Sequence, residues 1–90
     1  MSLQQGVVES YDFDRMIVQF TMLDQDKVVL CAITTAAMDD LEGVRNVVSD
    51  RRVEQFMRLR AKIEAEASNK FEEQGRSNRP VVLRSNDFVK

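Results

Sequence analysis

At 90 residues the chain fits one domain, and a domain of this size removes only about 60–65% of its unfolded surface from water, so its stability margin is thin. Apolar residues at 43% against 31% charged, with a single Pro, exclude a disordered chain, and no run reaches the ~18 consecutive apolar residues of a membrane span. A net charge of −2 with no His and one Cys excludes imidazole catalysis, thiolate metal sites and an internal disulfide.

The single domain is expected to span residues 1–90, with residues 1–10 as a flexible N-terminal segment or an extra strand. From Met16 to Leu23 the apolar set Met16, Val18, Phe20 and Met22 alternates with Ile17, Gln19, Thr21 and Leu23, which is the period of a strand. Asp24-Gln25-Asp26 is a short polar turn, and Lys27 to Ile33 returns as the second strand of a hairpin. That second strand, Val28-Val29-Leu30-Cys31-Ala32-Ile33, is apolar on both faces, whereas a sheet with one wet face should alternate. Its second face therefore needs a cover, supplied by the segment around Val7 and Val8, by a further layer, or by another copy of the chain.

Thr34 and Thr35 can cap a short helix over Ala36 to Glu42, with Asp39 and Asp40 near its positive end and Gly43 as its stop. Residues 44–48 read either as loop or as an extra helical turn. Ser49 or Asp50 caps a long helix that ends near Gln74, with Gly75 free to adopt the left-handed conformation. On its wheel Val53, Phe56, Ile63, Ala67 and Phe71 share one face and Arg51, Arg58, Lys62 and Asn69 lie opposite. Glu54 with Arg58, and Glu66 with Lys70, are acid-before-base pairs at four-residue spacing.

Gly75 to Pro80 is a loop and Val81 to Ser85 a last short strand. The fold class is α+β: a two-layer, mostly antiparallel sheet of hairpin plus C-terminal strand, packed on one long amphipathic helix with a short helix before it. The last strand is expected beside the first hairpin strand in an all-antiparallel order, with a mixed order beside the second as the alternative. A helix of about 24 residues spans roughly 36 Å, against roughly 25 Å for the strands. Phe71 is then expected on an overhang that a partner would cover.

The motifs that carry chemistry fail one by one. Asp24 and Asp26 lack the third ligand, the Gly and the closing Glu of a calcium loop, and read as a hairpin turn. Glycines at 6, 43 and 75 are too dispersed to cradle phosphate. Cys31, inside an apolar run, is a small buried residue and not an activated thiolate. Arg60 departs from its surroundings, because it sits between Val53 and Ala67 on the apolar stripe. Its stem is expected to pack on the sheet while its guanidinium meets Asp14 or Asp87, and the competing reading makes it a ligand or partner anchor.

Charge is uneven along the chain. Residues 1–49 hold eight acidic and three basic side chains, residues 50–74 six of each, and residues 75–90 one acidic and four basic. The basic tail (Arg76, Arg79, Arg84, Lys90) is sparse for a nucleic-acid footprint. Met1-Ser2-Leu3-Gln4-Gln5 has no basic-then-apolar order of a secretion signal, and the lone cysteine fits a reducing compartment, so a cytoplasmic location is expected.

The residues also carry a family pattern. Tyr11-Asp12 precedes the first strand, Val18 and Phe20 lie within it, and Cys31 and Ile33 run into a short helix with Leu41. Phe56, Arg60, Ile63, Glu64 and Ala67 mark the long helix, and Leu83, Ser85, Asp87 and Phe88 close the chain. In this the chain resembles a family of small bacterial proteins known as domain-of-unknown-function family 1488. The resemblance implies the fold and a bacterial cytosolic origin, implies no activity, substrate or cofactor, and sets Arg60 and Asp87 in one pattern, which favours their pairing.

Taken together these features predict a non-enzymatic interaction module that forms a homodimer, with an unidentified protein partner as the alternative and no cofactor or metal. The expected interface residues are Val29, Cys31, Ile33 and Phe71, and the expected ligand or partner anchors are Arg60 and Asp87. A small ligand-binding protein or enzyme using Arg60 and nearby carboxylates is the second reading; neither a membrane nor, beyond weak contact through the tail, a nucleic acid is expected as partner.

Overall fold

The computed structural model describes residues 3–44, 47–75 and 79–88. Four strands form one sheet in the order β1-β2-β3-β4: β1 (Gln4–Asp12), β2 (Ile17–Asp24), β3 (Lys27–Thr34) and β4 (Val81–Leu83). Helices α1 (Thr35–Glu42) and α2 (Arg52–Glu73) pack on one face of it, and 3-10 turns occupy Ser49–Arg51 and Ser85–Asp87. The core lies between the layers: Val18, Phe20, Met22, Val29, Cys31, Ile33, Val81 and Leu83 from the sheet meet Ala37, Met38, Phe56, Leu59, Ile63, Ala67 and Phe71 from the helices. Among the described residues no helix is long and apolar enough to cross a membrane.

Period-two patterning explains β2, whose Val18, Phe20 and Met22 are all buried. Met16 leaves that face because it ends the preceding turn in a left-handed conformation, φ 56°, and its side chain is exposed. The turn itself is set by Asp12, whose Oδ1 accepts from the backbone N–H groups of Asp14 (3.1 Å) and Arg15 (3.2 Å). β3 alternates in burial although not in polarity: Val29, Cys31 and Ile33 point inward, while Val28 and Leu30 stand exposed on the other face.

Helix ends follow the expected chemistry. The Thr34 hydroxyl accepts from the N–H of Ala37 at 3.1 Å, and Gly43 at φ 72° ends α1. α2 starts at Arg52, one 3-10 turn later than Ser49 or Asp50, and Gly75 at φ 75° follows its end. Val44, Val47 and Val48 are irregular, so the loop reading holds for them; Arg45 and Asn46 lie outside the described residues, as do Met1, Ser2 and the tail cations Arg76 and Lys90.

The structure corrects three expectations. Residues 4–12 are a full strand that takes the place beside β2, so the C-terminal strand pairs on the far side, parallel to β3 with Val81, Val82 and Leu83 opposite Cys31, Ala32 and Ile33. The mixed order is the one adopted. β4 stops at Leu83, because Arg84 onward turns into the 3-10 segment. Phe71 does not overhang: it is only 3% exposed and shares one core cluster with Leu3 and the partly buried Phe88, both supplied by segments that extend the layer beyond the hairpin.

β1 is irregular for a legible reason. Gln5 faces Met22 and Val8 faces Phe20, so Gly6 and Val7 together oppose Thr21 in a β-bulge; Glu9 is a second extra residue, between Val8 opposite Phe20 and Ser10 opposite Gln19. Thr21 Oγ1 accepts from the N–H of Val7 at 3.0 Å and so holds the first bulge. A Cβ on Gly6 would lie 2.3 Å from the Thr21 carbonyl oxygen, a backbone atom that cannot swing aside. Gly6→Ala is therefore expected to lower the unfolding free energy by about 1–3 kcal/mol in urea titration; an unchanged midpoint would mean that the bulge relaxes freely.

Candidate interaction face of the sheet

The side chain that sequence reasoning singled out, Arg60, is committed within the protomer. Its Nε donates to Glu64 Oε2 at 2.7 Å, its Nη2 donates to the Gly6 carbonyl at 3.0 Å, and its guanidinium carbon lies 6.0 Å from the Phe56 ring centre. One turn on, Glu64 Oε1 accepts from Gln5 Nε2 at 3.2 Å, and one turn further Ser68 Oγ accepts from the N–H of Leu3 at 3.1 Å. Arg60, Glu64 and Ser68 recur every four residues and so form one column down α2, bonded to the edge strand β1.

Neither Asp14 nor Asp87 is the partner of Arg60. Asp87 Oδ2 accepts from Lys70 Nζ at 2.9 Å and from the N–H of Arg84 at 2.8 Å, and Lys70 also donates to the Val82 carbonyl at 2.7 Å. Arg60 bonds β1 and Lys70, which holds Asp87, bonds β4, so the two expected anchors belong to opposite edges of the sheet.

Sequence reasoning missed a polar cluster that joins α1 to α2. Arg52 is only 6% exposed; its Nη1 donates to Asp39 Oδ1 at 2.6 Å and to Gln55 Oε1 at 2.7 Å, while Gln55 Nε2 donates to the same Asp39 oxygen at 3.0 Å. Arg58 grips Glu42 with Nε and Nη2 at 2.7 and 3.0 Å, in place of its helical neighbour Glu54, which accepts from Arg51 at 3.3 Å. The signal was present: Arg52, Gln55, Phe56 and Leu59 follow the spacing of a buried stripe. Burial acts to raise the Asp39 carboxyl, but hydrogen bonds from Arg52 and Gln55 and the charge of Arg52 outweigh it and hold it below the ordinary range. Asp87 is lowered in the same way, against burial, by the Arg84 N–H and Lys70.

Cys31 offers no nucleophile. Desolvation by burial pushes its thiol up to about 12, which keeps it protonated, and its Sγ lies 3.6 Å from the Val29 carbonyl. Among the described residues no group of three or more His, Cys, Asp or Glu is placed to hold a metal ion.

What remains is the sheet face away from the helices. Val7 (63%), Val28 (62%) and Leu30 (58%) stand exposed there, flanked by half-buried Ile17, Leu23 and Val82. A hollow of about 370 Å³ opens there, lined by Ile17, Leu30, Ala32 and Val82 together with Glu9, Arg15 and Gln19. Val29, Cys31, Ile33 and Phe71, named from sequence as interface residues, are buried in the protomer's own core, and the apolar surface is carried by their outward neighbours. Arg60 does not line this hollow.

With this geometry in hand, the sequence pattern of a family described as "Protein of unknown function (DUF1488)" matches residues 5–83. The chain belongs to the DUF1488 family. Its fold is similar to the crystal structure of a protein of unknown function from the DUF1488 family of Shewanella loihica PV-4, with a TM-score of 0.66 and 21% identity over 90% of this chain and 91% of that one. No curated protein matches the chain. The residues that carried the family pattern are mostly packing residues, as Val18, Phe20, Ile33, Phe56, Ile63, Ala67 and Leu83 are all core. The pattern's polar members, Arg60 with Glu64 and Asp87 with Lys70, are intramolecular ties.

Two expectations follow for this DUF1488 chain. Arg60→Met leaves the Gly6 carbonyl and the Glu64 carboxylate short of a donor and should lower stability by about 1–2 kcal/mol in denaturant unfolding; loss of self-association with unchanged stability would instead restore the anchor role. Asp39 and Asp87 titrate below their unfolded values, so the stability they contribute is present above the unfolded carboxyl range near pH 4 and is lost as pH falls through their lowered values. Melting temperature should drop steeply below about pH 4, and Asp39→Asn should flatten that limb; an acid limb identical to the parent's would contradict this.

Proposed function

We propose that the chain is a non-enzymatic interaction module that self-associates through the outer face of its sheet. The observation that carries this reading is the exposed apolar row Val7, Val28 and Leu30, on a face that neither helix covers. Contiguous exposed apolar surface on a small domain marks a place where water is to be displaced by a partner. Burial of a face also adds stability where a domain of 90 residues has little to spare. The reading includes a cytoplasmic location, supported by the single buried thiol of Cys31.

A small-ligand site is the second reading, and the hollow between Glu9, Arg15 and Val82 is the observation in its favour. Leu30 of the exposed apolar set also lines it, so the same face serves either reading.

Light scattering after gel filtration tests the first reading. The parent chain should elute as a dimer at tens of micromolar, and Leu30→Asp, which changes a side chain 58% exposed, should elute as a monomer with an unaltered circular dichroism spectrum. A monomeric parent at that concentration would sink it.

A further inference from the structure

We propose that Met57 is a site of reversible oxidation by peroxide, and that the sulfoxide oxygen so formed accepts a hydrogen bond from Arg60 and tightens the tie between α2 and β1. Met57 belongs to α2, which packs behind the sheet, so this site is separate from the outer face.

The methionines are not alike. Met22 and Met38 are sealed in the core at 1% and 0% exposure, whereas Met16 and Met57 are 53% and 51% exposed and open to a small oxidant. What each sulfur faces separates the last two. Arg60 Nη1 donates to Met57 Sδ at 3.8 Å, and among the described residues no other methionine sulfur accepts a hydrogen bond. The donor is also held in place. Arg60 lies three residues on along the helix, its Nε donates to Glu64 Oε2 at 2.7 Å, and its Nη2 donates to the Gly6 carbonyl at 3.0 Å.

A thioether sulfur is a weak acceptor, and a sulfoxide oxygen, at the negative end of a strong S–O dipole, is a much better one. The space for that oxygen exists. It stands roughly 1.5 Å from sulfur and takes a charge-assisted hydrogen bond of roughly 2.8 Å, and at an angle of about 120° at oxygen these two lengths span about 3.8 Å. That is the separation already present between Sδ and Nη1. Arg60 therefore gains the new acceptor without releasing Glu64 or Gly6, and its three nitrogens then each serve a different group. With one more fixed acceptor the guanidinium has less freedom to leave the Gly6 carbonyl, so β1 is held more firmly. Because half of Met57 is in water, making it polar costs little burial, whereas the same change at Met22 or Met38 would disrupt the core.

The oxidant is hydrogen peroxide or an organic peroxide. Sulfur attacks one peroxide oxygen, the O–O bond breaks as the S–O bond forms, and with hydrogen peroxide the departing hydroxide takes the proton left on the transferred oxygen and leaves as water. Sulfur is oxidised by two electrons and the peroxide is reduced by two. A dithiol reductase specific for methionine sulfoxide reverses the step: its two thiols become a disulfide and the oxygen leaves as water. Cys31 stays out of this chemistry, because its thiol is buried and protonated.

The test treats the full chain and its Met16→Leu and Met57→Leu variants with dilute hydrogen peroxide, locates the added oxygen by peptide mass spectrometry, and follows thermal melts by circular dichroism. The melting temperature of the parent and of Met16→Leu should rise by about 2–5 °C on oxidation, that of Met57→Leu should not rise, and methionine sulfoxide reductases of both epimer specificities should return the parent to its starting value. Met57→Gln, whose side-chain carbonyl stands where the sulfoxide oxygen would, should melt higher than Met57→Leu, and that difference should vanish when Arg60 is replaced by Leu. A melt of oxidised Met16→Leu that is unchanged or lowered overturns the proposal. So does a rise that persists in Met57→Leu, a rise that the reductases fail to reverse, or a Gln-over-Leu difference that survives without Arg60.

Discussion

The structure depends on how β1 is held. An edge strand of nine residues with two bulges has a poor ladder to β2, and its inward side chains are few: Leu3 just before it, Val8 and Tyr11. To its pairing with β2 the helix α2 adds a second hold, the column of Ser68, Glu64 and Arg60 bonded to Leu3, Gln5 and Gly6. Each bond contributes on the order of 1 kcal/mol, more where a charge is involved, and the Arg60 and Glu64 side chains that make two of them are only 19% and 15% exposed. The bulge at Gly6 and the arginine are two parts of one device: the missing side chain brings the Gly6 backbone against Thr21, and the Gly6 carbonyl accepts from Arg60.

Lys70 does the equivalent task at the opposite edge, where it satisfies the outward carbonyl of β4 and binds the aspartate that closes the C-terminal turn. One helix thus closes both sides of the sheet with two cations ten residues apart. The Asp39–Arg52–Gln55 cluster fixes where that helix begins, by docking its first turn on α1. Placement of α2 is specified at three points by charged hydrogen bonds, and the apolar stripe between them supplies the burial.

Much of this was legible. Strict alternation in Val18, Phe20 and Met22, the Thr34 cap, and Gly43 and Gly75 as stops each carry a local physical cause, and each appears where that cause puts it. The continuous apolar run of β3 does leave apolar side chains on both faces, but periodicity could not say which side was which, since Val28 and Val29 differ only in where the other layer sits. The sequence leaves β1 open between an extra strand and a flexible segment because its two bulges erase the two-residue period over Gly6 to Ser10. Arg60 was recognised as anomalous and its demand for a partner was real, yet the partner was a backbone carbonyl together with a helical neighbour. A carbonyl has no sequence signature.

The misplaced strand has the larger consequence. With β4 beside β2, the acidic N-terminal third and the basic C-terminal end of the chain would lie next to one another and cancel. With β1 occupying that place and β4 beyond β3, the two are held a whole sheet apart. On the outer face this leaves Glu9 on the β1 side and the exposed Arg84 beyond β4 on the other. Behind the sheet, Arg60 and Lys70 each donate to a carbonyl of an edge strand, Gly6 in β1 and Val82 in β4. What the fold leaves open is the outer face of the sheet, where Val7, Val28 and Leu30 stand exposed and neither helix packs.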